Sequence, residues 1–509
     1  MLTTLDFAVI AIYLLGVAVF GLRAGGRQTS TADYFLGNRS LPWWAVSFSV
    51  VATETSTLTV ISTPAIAYLG SLTFLQLTFG YLLGRIVVSL YFLPRYFHGN
   101  LSTAYAFLGE RYGDGMRATA SVTFLITRLL ADGVRLFATA IPLKVIFDSA
   151  GWELSYGAII FGIGLVTIAY TMVGGIKAVV WMDVVQMFVY VGGAVAAAAV
   201  LLSDVPADWW TAAAAEGKTQ VLNPGAGESF SFWLTEPYIF FTAVVGGAIF
   251  SMASHGTDQL IVQRLLTCRN LRDGQKALVT SSVVVIVQFA LFLVVGLLLW
   301  SHYGGASLEA LGLSRSDEIF PKFIIEGLPP GVSGLILAGI VAAAMSTLSS
   351  SLNSLASSTM LDLYERFRGR PIAEDRALFV SRLLTFFWGL VFIGFASLFE
   401  DNTSPVIELG LSIAAFTYGG LLGAFLLGLL NRRTRQADAV VAFVVTVLVM
   451  VLVVYGIWYS PAEGWVFAWR PSAEVAAERG LRAIGWPWYT VIGAGVSLVV
   501  GSLTALRHR

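Results

Sequence analysis

Uncharged apolar runs recur along this chain from Phe7 to Leu506, each of about twenty residues, the length of helix that crosses the hydrocarbon core of a bilayer. Inside lipid every backbone polar group needs an internal partner, which only helices and closed barrels supply. A barrel would read as alternating segments of about ten residues, so these runs are expected to be helices. The composition agrees, with 57% of the 509 residues hydrophobic and 12% charged, about half the charge of an ordinary soluble domain. Thirty-one basic and thirty-one acidic residues cancel, which gives no reason to expect a nucleic-acid partner. Cys268 is the only cysteine, and four scattered histidines offer no metal-binding cluster.

Breaks at charges, Gly and Pro divide the chain into about thirteen spans. They fall near 5–22, 43–70, 72–97, 117–147, 155–173, 179–202, 237–266, 277–300, 333–361, 378–399, 405–430, 438–459 and 487–506. The first is preceded by Asp6 and no basic residue, so it is expected to be a retained helix and not a signal peptide. With the N-terminus outside, 21 of the 31 Lys and Arg residues fall on inner segments and seven on outer ones, as the positive-inside rule demands. An odd number of spans then leaves the C-terminus in the cytoplasm of a plasma (inner) membrane. Stretches 203–235, 301–332 and 460–486 read as loops, and no soluble domain is expected.

Two spans are too polar for simple lipid-facing helices. One holds Thr53-Glu54-Thr55-Ser56-Thr57, the other Ser251 to Gln259 with Ser254, His255, Gly256 and Asp258. Each opens a run of five spans. That is the arrangement of a 5+5 inverted repeat whose first helices are discontinuous, with bare carbonyls and amides at the breaks ready to hold ions and substrate. The expected division is 1–42, an extra helix and cytoplasmic loop; 43–202, the first repeat; 203–236, an extracytoplasmic loop; 237–430, the second repeat; and 431–509, two further helices. Polar contacts between ordinary helices would explain the same residues more simply.

Ser346, Ser349, Ser350, Asn353 and Ser354 follow helical offsets of three and four, so their oxygens share one face. Neutral oxygens are hard ligands, suited to a small hard cation such as Na⁺. A proton carrier would need a titratable group on this face, and the face has none. Serines in membrane helices also bond back to the preceding turn, which is the competing explanation.

The stretch Met345-Ser346-Thr347-Leu348-Ser349-Ser350 running to Leu361-Asp362-Leu363-Tyr364 resembles the sodium-binding helix of the sodium:solute symporter family. So do Asp33 to Arg39, Gly174 to Asp183, and Asp258 to Arg264. The resemblance runs through nearly the whole chain in order. It implies an all-α integral membrane protein with the leucine-transporter-like fold, and alternating access driven by a sodium gradient. Carried over by position, one sodium site would use Ala52, Thr55, Ala343, Ser346 and Thr347. A second, found in some members, would use Asp183, Ser346, Ser349 and Ser350. Na⁺ is then the only ion required, one or two per cycle, with no organic cofactor. The expected partners are a small solute and the lipid bilayer, and a monomer is expected to suffice.

Candidate substrate ligands are Glu54, Thr59, Arg135, Ser251 and Ser254. Arg128, Asp132 and Arg135 stand at spacings of four and three, so Asp132 can neutralise one arginine and leave the other for a carboxylate. Equally, Arg135 could clamp Glu54. The lysine and the amide of sugar-carrying relatives are matched by Val285 and Leu411, which weakens a sugar assignment. The expectation is a symporter importing a small organic anion such as a monocarboxylate, with proline, another amino acid or a sugar as alternatives. A channel or a transporter-like sensor is the reading from a different class. No nucleophile, base and orienting group converge as an enzyme would require.

Overall fold

The computed structural model describes residues 3–149, 151–369, 372–398 and 406–508. Its main helices are α1 (Thr4–Ala24), α2 (Trp43–Glu54), α3 (Thr57–Leu69), α4 (Leu75–Val87), α5 (Asp114–Ser149), α6 (Tyr156–Asp204) and α7 (Phe240–Gly256). They continue as α8 (Gln259–Leu265), α9 (Leu271–His302), α10 (Val332–Ser358), α11 (Glu374–Ala396), α12 (Val406–Leu430), α13 (Gln436–Gly456) and α14 (Pro487–Ala505). Among the described residues nine helices are long and apolar enough to cross a membrane, or ten if the bent pair α2 and α3 counts as one span.

Both expected interruptions exist. Between α2 and α3 the chain bends by 68°. Thr55 leaves helical geometry at φ −81°, ψ 101°, and the Ser56 hydroxyl accepts from the Thr59 amide at the start of α3. The second interruption is at Thr257 and Asp258, where the Asp258 carboxylate accepts from the Leu260 amide at 2.9 Å. The 49-residue α6 contains two of the expected spans, joined at Gly175 with φ 57°. A side chain there would be strained, and its Cβ would stand 2.6 Å from the Tyr34 carbonyl oxygen. Only glycine permits that approach.

Contacts sort the chain into two compact units, Met1–Leu75, Arg128–Val221 and Gln263–Gly410 in one, Gln76–Thr127, Leu222–Val262 and Leu411–Arg509 in the other. In the first, α10 is buried almost throughout and packs most extensively on α6. Small residues permit the close approach, as is usual between membrane helices; a Cβ on Gly339 would lie 2.9 Å from the Tyr190 Cα. Asp6 of α1 is buried and accepts from the Gly331 and Gly334 amides at 2.8 Å each. It caps the start of α10, where unpaired amides and the positive end of the helix dipole favour a carboxylate.

In the second unit α13 and α14 share the core of Met450, Val453, Val454 and Tyr489. One small sheet stands beside the helices. A three-stranded antiparallel sheet of order β2-β1-β3 is formed by β1 (Ile457–Ser460), β2 (Gly464–Phe467) and β3 (Arg482–Ala483). Strands of two to four residues are too short to show a period-two pattern, so this stretch read as a loop. The loops 203–235 and 301–332 hold short helices, Trp209–Ala215, Phe230–Thr235 and Ile319–Glu326. Cys268 is fully buried, and burial pushes its thiol well above the ordinary range.

Candidate functional site

The first sodium set lies wholly in the first unit. Thr55 closes α2 with its amide donating to the Val51 carbonyl at 3.1 Å. Its hydroxyl donates to the same carbonyl at 2.9 Å and accepts from Gln288 Nε2 at 2.7 Å. Gln288 in turn accepts from the Tyr190 hydroxyl at 3.2 Å. The Thr57 hydroxyl donates to the Ile340 carbonyl on α10 at 3.1 Å, which ties the break to the serine-rich helix. Ala52 and Ala343 are fully buried on α2 and α10. Thr347 donates its proton to the Ala343 carbonyl at 3.1 Å.

That back-bonding is general on α10. Ser349 and Ser350 both donate to the Ser346 carbonyl, at 3.1 and 2.6 Å, and Ser354 donates to the Ser351 carbonyl at 3.1 Å. The structural and functional explanations of these serines therefore do not compete. A hydroxyl that spends its one proton on its own helix turns its lone pairs outward, which is how a cation ligand must face.

Of the second set, Asp183 and Ser346 meet directly, while Ser349 and Ser350 donate to the Ser346 carbonyl. Asp183 of α6 is fully buried, with Oδ1 accepting from Ser346 at 2.7 Å and Oδ2 from Ser49 at 2.5 Å. The sequence reading missed its ionic partner. Arg264, placed by charge counting on an inner segment, is also fully buried, with Nη2 3.2 Å from Asp183 Oδ2. Its Nε donates to Ser49 at 3.0 Å and its Nη2 to Ser350. The available signal was an acid inside the expected span 179–202, which has to find a partner.

Among the substrate candidates, Arg135 does not take the Glu54 clamp. Its Nη1 lies 3.2 Å from Asp132 Oδ1, while Arg128 approaches Asp132 Oδ2 at 3.4 Å and Ser351 donates to the same oxygen at 2.5 Å. Asp132 thus serves both arginines, not one as expected. The Arg135 side chain is 28% exposed and that of Arg128 only 6%. A small cavity at the helix break is lined by Ser56, Thr57, Asp132, Arg135 and Thr347 among others. One turn further along α3 and α5, Leu58, Ile61, Ala138 and Ile141 line a cavity of about 300 Å³, whose charged lining is mixed: Arg315 and Lys322 with Asp317, Glu318 and Glu326. Thr59 completes the cap of α3 by accepting from the Ser56 amide at 3.3 Å.

Ser251 and Ser254 belong to the second unit. There the Ser251 hydroxyl donates to the Tyr81 carbonyl at 3.2 Å, and Ser254 meets His255 Nδ1 at 2.8 Å. Arg85 is fully buried. The side chains of Glu408 and Leu411 lie outside the described residues.

A discontinuous membrane helix beside a buried hydroxyl-lined helix is the arrangement in which many secondary transporters hold ions and substrate. The sodium:solute symporter family matches residues 34–446, and the chain belongs to that family. It is 29% identical to the sodium/sialic acid symporter NanT of Aliivibrio fischeri, over 99% of this chain and 93% of the relative. It is 30% identical to the human sodium/iodide cotransporter, over 83% of this chain and 65% of that protein. A solved structure of a Na⁺-coupled sialic acid symporter, substrate-bound, outward-open and with a novel Na⁺ site, superposes with a TM-score of 0.82. The match covers 99% of this chain and 98% of the other at 26% identity. The chain is therefore a multi-pass sodium-coupled symporter of the leucine-transporter-like fold and not an enzyme.

Proposed function

We propose that this symporter imports a small organic anion bearing a carboxylate, together with two sodium ions, across the plasma (inner) membrane. The observation that carries the substrate class is the Arg128, Asp132 and Arg135 cluster, in which one carboxylate serves two guanidinium groups. The more open of the two, Arg135, faces the cavity at the helix break. A half-buried guanidinium that shares its one carboxylate partner with a second arginine is matched by a substrate carboxylate in a two-bond fork. The named substrates of the relatives, sialic acid and iodide, are both anions, which agrees.

The first ion is assigned to Ala52, Thr55, Ala343, Ser346 and Thr347, and the second to Asp183, Ser346, Ser349 and Ser350. Two sodium ions with one carboxylate carry one net positive charge inward. The membrane potential then contributes about 2.3 kcal/mol per 100 mV to import. Glu54 and Thr59 at the first break, and Ser251 and Ser254 at the second, complete the substrate candidates. A monomer holds all of these residues.

The test is a panel of carboxylates, zwitterionic amino acids and neutral sugars, scored by thermal stabilisation of purified protein in sodium, since a ligand of the native state raises apparent stability. Carboxylates are expected to stabilise. Arg135→Lys keeps the charge and loses the fork, so carboxylate binding is expected to weaken about 10- to 100-fold, with sodium binding alone little changed. Stabilisation by sugars or zwitterions only, or an Arg135→Lys variant that binds carboxylates normally, would overturn the assignment.

The N-terminus is assigned to the outside and the C-terminus to the cytoplasm. An epitope fused after the last residue is then expected to bind antibody only in permeabilised cells. Cys268 cannot serve as the reporter, because its thiol is buried.

A further inference from the structure

We propose that Arg264 is a tethered competitor of the second sodium ion, a side-chain cation that occupies the Asp183 site until sodium displaces it. The inference rests on the assignment of that site to Asp183, Ser346, Ser349 and Ser350, and adds what controls its occupancy.

The hydroxyl protons around Asp183 are all committed elsewhere: Ser49 and Ser346 donate to its two oxygens, and Ser350 donates to the Ser346 carbonyl. The remaining lone pairs of Ser49, Ser350 and Asp183 are all taken up by one group, the Arg264 guanidinium. Its Nε is 3.0 Å from Ser49 Oγ and its Nη2 3.2 Å from Asp183 Oδ2, with a further bond from Nη2 to Ser350 Oγ. Three oxygens, one of them anionic, directed at one positive charge are also what a sodium ion requires. Two of the four residues assigned to the ion, Asp183 and Ser350, are bonded to Arg264.

The two occupants exclude each other. Both would take up the same lone pairs, and two cations on one fully buried carboxylate would leave a net positive charge out of water, which is costly. Exchange of one for the other conserves charge. A weakly hydrated guanidinium is the better suited of the basic side chains to wait in such a place. Arg264 is in α8, the short second segment of the second interrupted span, so the arrival of this ion has to release α8 from Asp183. Sodium affinity at the site is then an apparent one, lowered by the fraction of molecules in which the guanidinium is in place.

The experiment measures sodium-dependent thermal stabilisation of the purified full-length protein, and sodium-dependent uptake in proteoliposomes, for wild type, Arg264→Gln, Arg264→Lys and Asp183→Asn. Arg264→Gln is expected to lower the half-saturating sodium concentration of the second ion about tenfold, the factor for a site free in about one molecule in ten. Arg264→Lys, with a point charge in place of the fork, is expected to lower it by a smaller factor. It also decides the matter if Arg264→Gln does not fold. An unchanged or raised sodium requirement in the folded Arg264 variants, while Asp183→Asn loses one ion, overturns the competition and leaves the site standing. If Asp183→Asn keeps both ions, the site assignment itself has failed.

Discussion

Asp183→Ala is expected to lower the stability of the folded protein by about 3–5 kcal/mol, the usual penalty for removing one member of a buried ion pair. Asp183 and Arg264 are both fully buried and 3.2 Å apart. Loss of the carboxylate strands a guanidinium and also takes the acceptor from Ser49 and Ser346. The penalty is mostly that of the charge left behind, so the double change Asp183→Ala with Arg264→Gln is expected to recover most of it. Thermal unfolding of the four proteins in a double-mutant cycle, without sodium, measures the coupling. Additive losses would mean that the pair contributes nothing as a pair.

Ser346→Ala and Thr347→Ala are each expected to raise the sodium concentration for half-maximal uptake about 10- to 100-fold, the range for losing one bond to a charged partner. Thr347 has its proton on the Ala343 carbonyl and so presents only acceptor lone pairs. Ser346 bonds Asp183 and is shared by both assigned ion sites, so its loss is expected to be the larger of the two. Thr347→Ser retains the ligand and is expected to stay near wild type. Ser354→Ala is the control, because that hydroxyl bonds only one turn back on the same helix, to Ser351. A sodium titration of uptake decides between them. Equal sodium dependence in wild type, Ser346→Ala and Thr347→Ala would remove both residues from ion binding.

The expected spans correspond to helices because helix length and apolarity are dictated by the bilayer and are written locally in the chain. The two interruptions were legible for a similar reason. Hydroxyls, acids and glycine in the middle of an apolar run are costly unless the helix opens to a polar surrounding, and the chain does leave helical geometry at Thr55 and at Thr257. The shared face of Ser346, Ser349 and Ser350 was legible from helical periodicity alone. The short sheet around Trp458 was not, since its pairing joins residues up to 25 positions apart, Trp458 with Ala483, through strands too brief to carry a pattern.

Charge was the least local property. Counting Lys and Arg placed Arg264 on a cytoplasmic flank, yet tertiary contacts bury it on Asp183, 81 residues away. Asp132 looked like the partner of one arginine and serves two, and Arg135 took Asp132 in place of Glu54. The sequence by itself determined the solvent, the helices, their breaks and the family, because each depends on runs of neighbouring residues. The tertiary structure alone decided which buried charges meet, because an ion pair is chosen by whichever opposite charge the packing brings within reach.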